Sequence, residues 1–140
     1  MFFALPLASL CLLAVQLSGV RAQADCDRFY AVNSGDTCDG ISAAQHVSTY
    51  QLATVNADKI DAACDDIFPG EVLCLGLEGE DCKTTYVVTD VDTCATITTA
   101  NNVSLTTLLA NNPNVNTQCS NIYPGEVLCT ATQIFVGGSN

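Results

Sequence analysis

The sequence predicts an α+β fold made of two tandem β-α-α-β units, each with a two-stranded antiparallel sheet and disulfides. Three observations carry this. The stretch Tyr30-Ala31-Val32-Asn33-Ser34-Gly35-Asp36-Thr37-Cys38 returns 56 positions later as Tyr86-Val87-Val88-Thr89-Asp90-Val91-Asp92-Thr93-Cys94. Cys26, Cys38, Cys64 and Cys74 are spaced by 12, 26 and 10, and Cys82, Cys94, Cys119 and Cys129 by 12, 25 and 10. Each repeat also runs through strand-like, helix-like and turn-like segments in the same order. Units of about 50 residues leave so much surface in water that they need disulfides or a metal to hold together.

Ahead of the repeats, residues 1–24 carry an apolar run to about Leu17 and then small residues at Val20-Arg21-Ala22 and Ala22-Gln23-Ala24. This reads as a secretory signal peptide cut after Ala22 or Ala24. The run is short for a transmembrane span, which disfavours a membrane anchor.

Phe29–Asn33 and Thr85–Thr89 set aromatic and β-branched residues two apart, as a half-buried first strand requires. Asp36 then stands at an N-cap position, and Ile41, Ala44 and Val47 follow along one expected helical face, repeated by Ile97, Ala100 and Val103. Ser48 with Gln51 three residues on forms a capping-box pattern for a second short helix, carrying Leu52 and Val55 inward and stopping near Asn56. Its counterpart starts at Ser104, carries Leu105, Leu108 and Leu109, and stops at Asn112-Pro113, since proline disfavours helix in the residue before it. Phe68-Pro69-Gly70-Glu71 and Tyr123-Pro124-Gly125-Glu126 are turns feeding second strands that end at Cys74 and Cys129. The units are therefore 25–75 and 82–130. Residues 76–81 read as a short acidic linker, and the chain beyond Cys129, 131–140 after the second unit, as a frayed tail.

Eight cysteines remain once Cys11 leaves with the signal peptide, an even number in an exported chain, which implies a disulfide framework. Zinc ligands would be more closely spaced than these. Four cysteines per unit leave three pairings open. Antiparallel strands favour Cys26 with Cys74 and Cys38 with Cys64. With Arg21 also gone, Arg28, Lys59 and Lys83 face all fifteen acidic residues, which excludes a basic surface for nucleic acid. Twelve of those acids fall in 25–81 and three, Asp90, Asp92 and Glu126, in the remainder. The units share a plan and differ in surface.

The order Tyr-x-Val-x-Ser-Gly-Asp-Thr, a helix ending in Val-Ser, Leu-x3-Asn and Pro-Gly-Glu-x-Leu resembles the LysM module, over nearly all of the chain after the signal peptide. With four cysteines per unit, the chain is similar to fungal extracellular LysM proteins of the effector type. The resemblance implies a non-catalytic lectin for N-acetylglucosamine oligomers, from chitin or peptidoglycan. The ligand would lie in a shallow groove between the loop after strand one and the loop before strand two. Carried over, those loops are Gly35, Asp36 and Thr37 with Asn56, Ala57, Asp58, Lys59 and Ile60 in the first unit. In the second they are Asp92 and Thr93 with Asn112, Pro113, Asn114 and Val115. Val91 departs from the family's glycine, and valine resists the positive φ that glycine permits. A groove of backbone amides with a small apolar contact such as Ile60 or Val115 can read an N-acetyl group without fixed charge.

Other constellations are weaker. His46 is a single histidine at a helix end where the repeat has Asn102, so it reads as a helix-terminal residue near the dipole rather than part of a catalytic site. Paired carboxylates such as Asp65-Asp66 belong to units with little depth for a glycosidase cleft. No cofactor is implied. Asn102-Val103-Ser104 is a glycosylation sequon in the turn between helices. The leading expectation is a secreted chitin binder, shielding fungal wall or sequestering fragments from host receptors, with extracellular or wall-associated localisation. A bacterial peptidoglycan binder and a small disulfide-rich toxin or inhibitor are the alternatives. A seven-residue joint between Cys74 and Cys82 reaches about 25 Å at most. It therefore favours two outward-facing sites, with ligand-induced self-association on a polymer, over an intramolecular clamp.

Overall fold

The computed structural model describes residues 25–135, so the expected signal peptide and the last five residues lie outside the described residues. The chain follows the order β1 (Cys26–Ala31), α1 (Cys38–Gln45), α2 (Thr49–Val55), β2 (Val72–Leu77), then β3 (Thr85–Val87), α3 (Cys94–Asn101), α4 (Leu105–Asn111) and β4 (Val127–Cys129). β1 pairs antiparallel with β2, setting Phe29 opposite Cys74 and Ala31 opposite Val72, and β3 pairs with β4, Tyr86 opposite Leu128. Two β-α-α-β units with a two-stranded sheet apiece are thus present.

Each ladder is closed by the same turn. In Phe68–Glu71 and Tyr123–Glu126 the Glu N–H donates back to the aromatic residue's carbonyl at 3.2 and 3.1 Å. Gly70 and Gly125 adopt φ of 90° and 94°. Proline followed by a positive-φ residue is the type II turn, and glycine takes that conformation without strain. Gly70 and Gly125 N–H then bond to Val32 and Val88 O at 2.8 Å, returning the chain to the sheet.

The helices are capped one residue later than the sequence reading has it. Thr37 and Thr93 are the N-caps, their hydroxyls accepting from Gly40 and Thr96 N–H. Asp36 instead closes the preceding turn. The expected helical face also needs correction, because Ala44 and Ala100 are exposed. The buried residues of α1 are Cys38, Ile41 and Ser42, spaced i, i+3, i+4 as a 3.6-residue period demands. Val47 returns to the core by another route. His46 takes a left-handed φ of 53° and Val47 N–H bonds back to Ser42 O at 3.1 Å, a Schellman ending that Asn102 and Val103 repeat. In the second helices Leu52 and Leu108 are buried, Val55 and Leu109 partly so, and Leu105 is exposed.

Asn56 and Asn112, at the ends of α2 and α4, are buried. Asn56 Nδ2 donates to Leu52 O and Cys74 O, and its Oδ1 accepts from Cys74 N–H, at 2.7–2.8 Å. Asn112 does the same with Leu108 and Cys129. One side chain thereby supplies partners for the backbone N–H and C=O of the second strand's cysteine on the side that faces away from the first strand. The cores are small, Val32, Ile41, Val47, Leu52, Ile60, Leu73 and Leu75 in one unit, with Val88, Ile97, Val103, Leu108, Val115 and Leu128 in the other. The disulfides pair as the antiparallel arrangement favours: Cys26–Cys74, Cys38–Cys64, Cys82–Cys129 and Cys94–Cys119.

Residues 76–81 are not a solvated linker. β2 continues to Leu77, Glu78 N–H bonds to Asp25 O at 2.8 Å, and Asp81 folds back onto the first unit with only 9% of its surface exposed. Its carboxylate receives Arg28 Nε and Nη2, both at 2.7 Å, and Gln51 Nε2 at 2.8 Å. A Cβ on Gly76 would collide with the Asp81 side chain, so this close approach requires glycine. Gln51 consequently fills half of the expected capping box. Its N–H bonds to Ser48 Oγ, while its side chain joins Leu75 O, Asp81 and Cys82 N–H. The tail differs as well. Thr130 and Ala131 are buried, and Asn111 binds Gln133 O and Phe135 N–H at 2.9 and 2.8 Å.

The units touch directly. Val127 N–H donates to Thr49 Oγ1 at 2.9 Å, and Lys83 pairs with Asp27 at 3.0 Å; within the first unit, Thr49 Oγ1 in turn donates to Asp39 at 3.0 Å.

Candidate functional site

The turn after the first strand is held by its own acid. Asp36 Oδ2 accepts from Tyr30 OH and Asn33 N–H, both at 2.8 Å. Asp92 Oδ2 accepts from Tyr86 OH, Thr89 N–H and Thr89 Oγ1, and its Oδ1 from Thr96 Oγ1. The Asn33 and Thr89 amides, followed by these hydroxyls, hold both carboxyls below their ordinary range. Gly35 adopts φ of 89° with open space around it, so conformation and not crowding calls for glycine there. Val91 does not share that positive φ and stands 79% exposed, giving the second loop a different backbone path.

In the loop before the second strand, Asn56 and Ile60 are buried, as are Asn112 and Val115. Lys59 Nζ bonds to Val72 O at 2.8 Å, and Ala57, Asp58, Pro113 and Asn114 are exposed. Ile60 and Val115 occupy matching positions, each with its N–H on the preceding asparagine's carbonyl at 2.9 Å. The residue missing from the second unit therefore falls between Asn112 and Val115.

A cleft of about 550 Å³ opens between the units, in the size range of small-ligand pockets. α2 supplies Thr49, Tyr50, Ala53 and Thr54, the first unit's loop supplies Ala57, Ile60, Asp61 and Ala62, and the second unit contributes Asn114 and Tyr123. A smaller cavity of about 180 Å³ adjoins it, where Thr37, Cys38 and Asp39 face Ala62, Ala63 and Cys64 beneath the same Tyr123. Of the sequence-expected residues, Thr37, Ala57, Ile60 and Asn114 come to these cavities. Gly35, Asp36, Asn56, Asp58, Lys59, Asp92, Thr93, Asn112, Pro113 and Val115 line neither. Thr49, Tyr50, Ala53 and Tyr123 line the cleft and lie outside the sequence-expected set. An aromatic residue before Pro-Gly in both repeats was visible, but it reads only as part of a turn until the packing of one unit on the other is known.

The walls are mostly methyl, aliphatic and aromatic groups with scattered hydroxyls, one amide and the carboxylates of Asp61 and Asp39. Tyr123 OH donates to Asp39 Oδ1 at 3.3 Å. Burial, with Asp39 and Glu126 nearby, pushes its phenol up to about 12, so it remains a donor at neutral pH. Glu126, 1% exposed, accepts from Asn114 Nδ2 at 2.6 Å and from Tyr123 N–H at 3.3 Å. Burial raises its pKa against the pull of those donors. Asn102 is exposed at the end of α3.

The chain is similar in sequence to known proteins. The LysM domain family matches residues 30–76 and 86–130. A non-secreted LysM effector of Gibberella moniliformis is 32% identical over 84% of this chain and 16% of its own length. A secreted LysM effector of Pochonia chlamydosporia is 30% identical over 82% and 17%, and one of Trichophyton rubrum 28% over 75% and 50%. The chain thus spans half or less of the length of these curated relatives. With the family matched over both units and the paired β-α-α-β architecture in place, the chain belongs to the LysM domain family.

Proposed function

We propose that the chain is a secreted, non-catalytic carbohydrate-binding protein whose ligands are N-acetylglucosamine oligomers of the chitin type. In this role it would shield fungal wall or sequester chitin fragments from host receptors. The observation that carries this reading is the inter-unit cleft, whose lining offers aromatic rings, small apolar side chains, hydroxyls, one amide and the single carboxylate of Asp61, but no cation. Such a lining suits a neutral sugar bearing an acetamido group: methyl and ring faces meet apolar walls, while the amide finds one donor or acceptor at a time. Membership of the LysM family and kinship with fungal proteins named secreted effectors support it.

Asp36 and Asp92 are committed to their turns, Glu126 to Asn114 and Tyr123, and Asp39 to Thr49 and Tyr123, while Asp58 and Asp61 are exposed to solvent rather than held in a dry cleft. This supports binding without bond cleavage. The test is a calorimetric panel of chitin, chitosan, cellulose and peptidoglycan fragments. Saturable binding of chitin oligomers, with chitosan weakened by loss of the acetyl groups and cellulose silent, is the expected result. Preference for peptidoglycan fragments, or binding of none of them, would overturn the assignment.

A further inference from the structure

We infer that the second unit builds part of the sugar site on the first: Tyr123 and Asn114 form the far wall of one continuous trough along α2. The chain would then bind an oligomer across both units rather than in two separate grooves. This rests on the carbohydrate-binding reading above and specifies where that binding occurs.

The two cavities share Thr49, Ala53, Ala62 and Tyr123. Together they run from the Cys38–Cys64 bridge and Thr37, past the Tyr123 ring, to Ala57 and Asn114. A trough with an aromatic ring overhanging its middle fits an extended chain of rings better than a compact molecule. Aromatic side chains offer large contact area with few rotors, and Tyr123, 42% exposed, still presents surface to a ligand. Ala53, Ala57 and Ile60 are of a size to meet an acetamido methyl, and Thr54 and Asn114 can bond to its amide.

The wall is pre-organised. One buried carboxylate, Glu126, holds the Asn114 side chain and the Tyr123 backbone, while Tyr123 OH reaches across to Asp39. Groups fixed before the ligand arrives lose little freedom on binding, and affinity gains accordingly. The first unit has the same turn without this arrangement. Phe68 is 58% exposed, lines neither cavity, and the Oε2 of Glu71 is buried without a partner. Lys59, which occupies the position of Asn114, bonds to Val72 O instead. The second unit's loop is thus the one fitted as a wall.

The experiment compares full-length wild type, Tyr123→Ala, Asn114→Ala and Phe68→Ala by calorimetric titration with a chitin hexamer, after melting curves establish that each variant is folded. The inference expects at least tenfold weaker binding for Y123A, a several-fold loss for N114A and no change for F68A. Amide shifts in labelled wild type, which depend on no variant, are expected to be largest at Ala53, Ala57, Ala62 and Asn114. Wild-type binding with Y123A unaffected, or shifts confined to residues 35–36 and 91–93, would overturn the composite trough while leaving chitin binding intact. A wild type that binds no oligomer would overturn both.

Discussion

The two units repeat one plan, and comparing them separates the residues that make the fold from those that give each unit its task. Three devices recur with their bonds intact: the tyrosine and aspartate that close the first turn, the buried asparagine that ties the second helix to the second strand, and the Pro-Gly turn. Elsewhere the units diverge. The first has six-residue strands and the second three-residue strands. Buried polar groups also serve different ends. In the first unit Arg28, Gln51 and Asp81 secure the passage to the next unit, and in the second Asn111 secures the residues beyond β4. What is repeated maintains the backbone, and what differs decides how the units meet.

The largest effect that could break this comparison comes from the disulfides. Cys26–Cys74 and Cys82–Cys129 close loops of nearly equal length, with sequence separations of 48 and 47. In the chain-entropy model each contributes about 4 kcal/mol, so loop closure alone predicts equal losses. The sheets they brace are unequal, however, and a short ladder has less to fall back on. Full reduction is expected to lower the melting temperature by tens of degrees, as about 4 kcal/mol per bridge implies for domains this small. With only one strand-to-strand pair replaced by alanine, the Cys82–Cys129 variant is expected to melt below the Cys26–Cys74 variant. Equal melting of the two variants would mean that strand length is irrelevant. An unchanged curve after verified reduction would remove the disulfides from the account altogether.

A smaller effect, specific to the first unit, lies at Asp81. Burial raises its pKa, but the bonds from Arg28 and Gln51 and the charges of Arg28 and Lys83 outweigh burial, and the net shift is downward from 3.8. For a depressed folded-state pKa the stability is complete above the unfolded value and is lost as pH falls through the lower folded value. Glu126 runs the other way. Its raised pKa contributes stability below 4.5 that is lost as pH rises through the folded value. Acid thus weakens the passage between the units while relieving the buried acid of the second. Removing the guanidinium in Arg28→Ala leaves a buried carboxylate short of its charge partner and is expected to cost about 3 kcal/mol at neutral pH. Denaturant titrations of wild type and R28A at neutral pH and near pH 3 would check this. The gap between the two should narrow in acid, and a constant gap would show that Asp81 titrates normally.

Much of this was legible before the structure, because disulfide spacing, turn glycines and short-range periodicity are local. The errors share a cause. Ala44 falls on the expected face only when Val47 is counted on the same helix, whereas the chain turns through a left-handed His46 before it reaches Val47. Asp36 and Thr37 are both competent caps, and only the tyrosine six residues before Asp36 decides which serves the helix. Residues 76–81 look like a linker until Arg28, 53 positions before Asp81, is seen to bind it. At the site, the loop residues inferred from the family divide into buried supports such as Asn56 and exposed ones such as Asp58, a division set by three-dimensional packing. Tyr123 was hidden for a deeper reason. A repeat encodes each unit's interior twice, but the contact between units occurs once and leaves no second copy to compare.

The smallest expected effect concerns the one loop in which the repeat itself breaks. Asn33–Asp36 and Thr89–Asp92 are turns of equal length, closed by Asp36 N–H to Asn33 O at 3.1 Å and by Asp92 N–H to Thr89 O at 3.3 Å. They differ at the third residue, Gly35 at φ of 89° against a valine that does not adopt positive φ. A β-branched residue forced into the left-handed region costs about 1–2 kcal/mol, whereas glycine put where valine already fits costs about 0.5–1 kcal/mol of backbone entropy. Gly35→Val is therefore expected to destabilise more than Val91→Gly, although each writes one unit's residue into the other. The free energies come from denaturant midpoints of the two single variants. If both cost the same, the loops would share one conformation and Val91 would be no departure. If the larger cost at Gly35 comes with weaker chitin-oligomer binding, while Val91→Gly leaves binding untouched, the first unit's loop would be tied to the trough and the second unit's would be free of it.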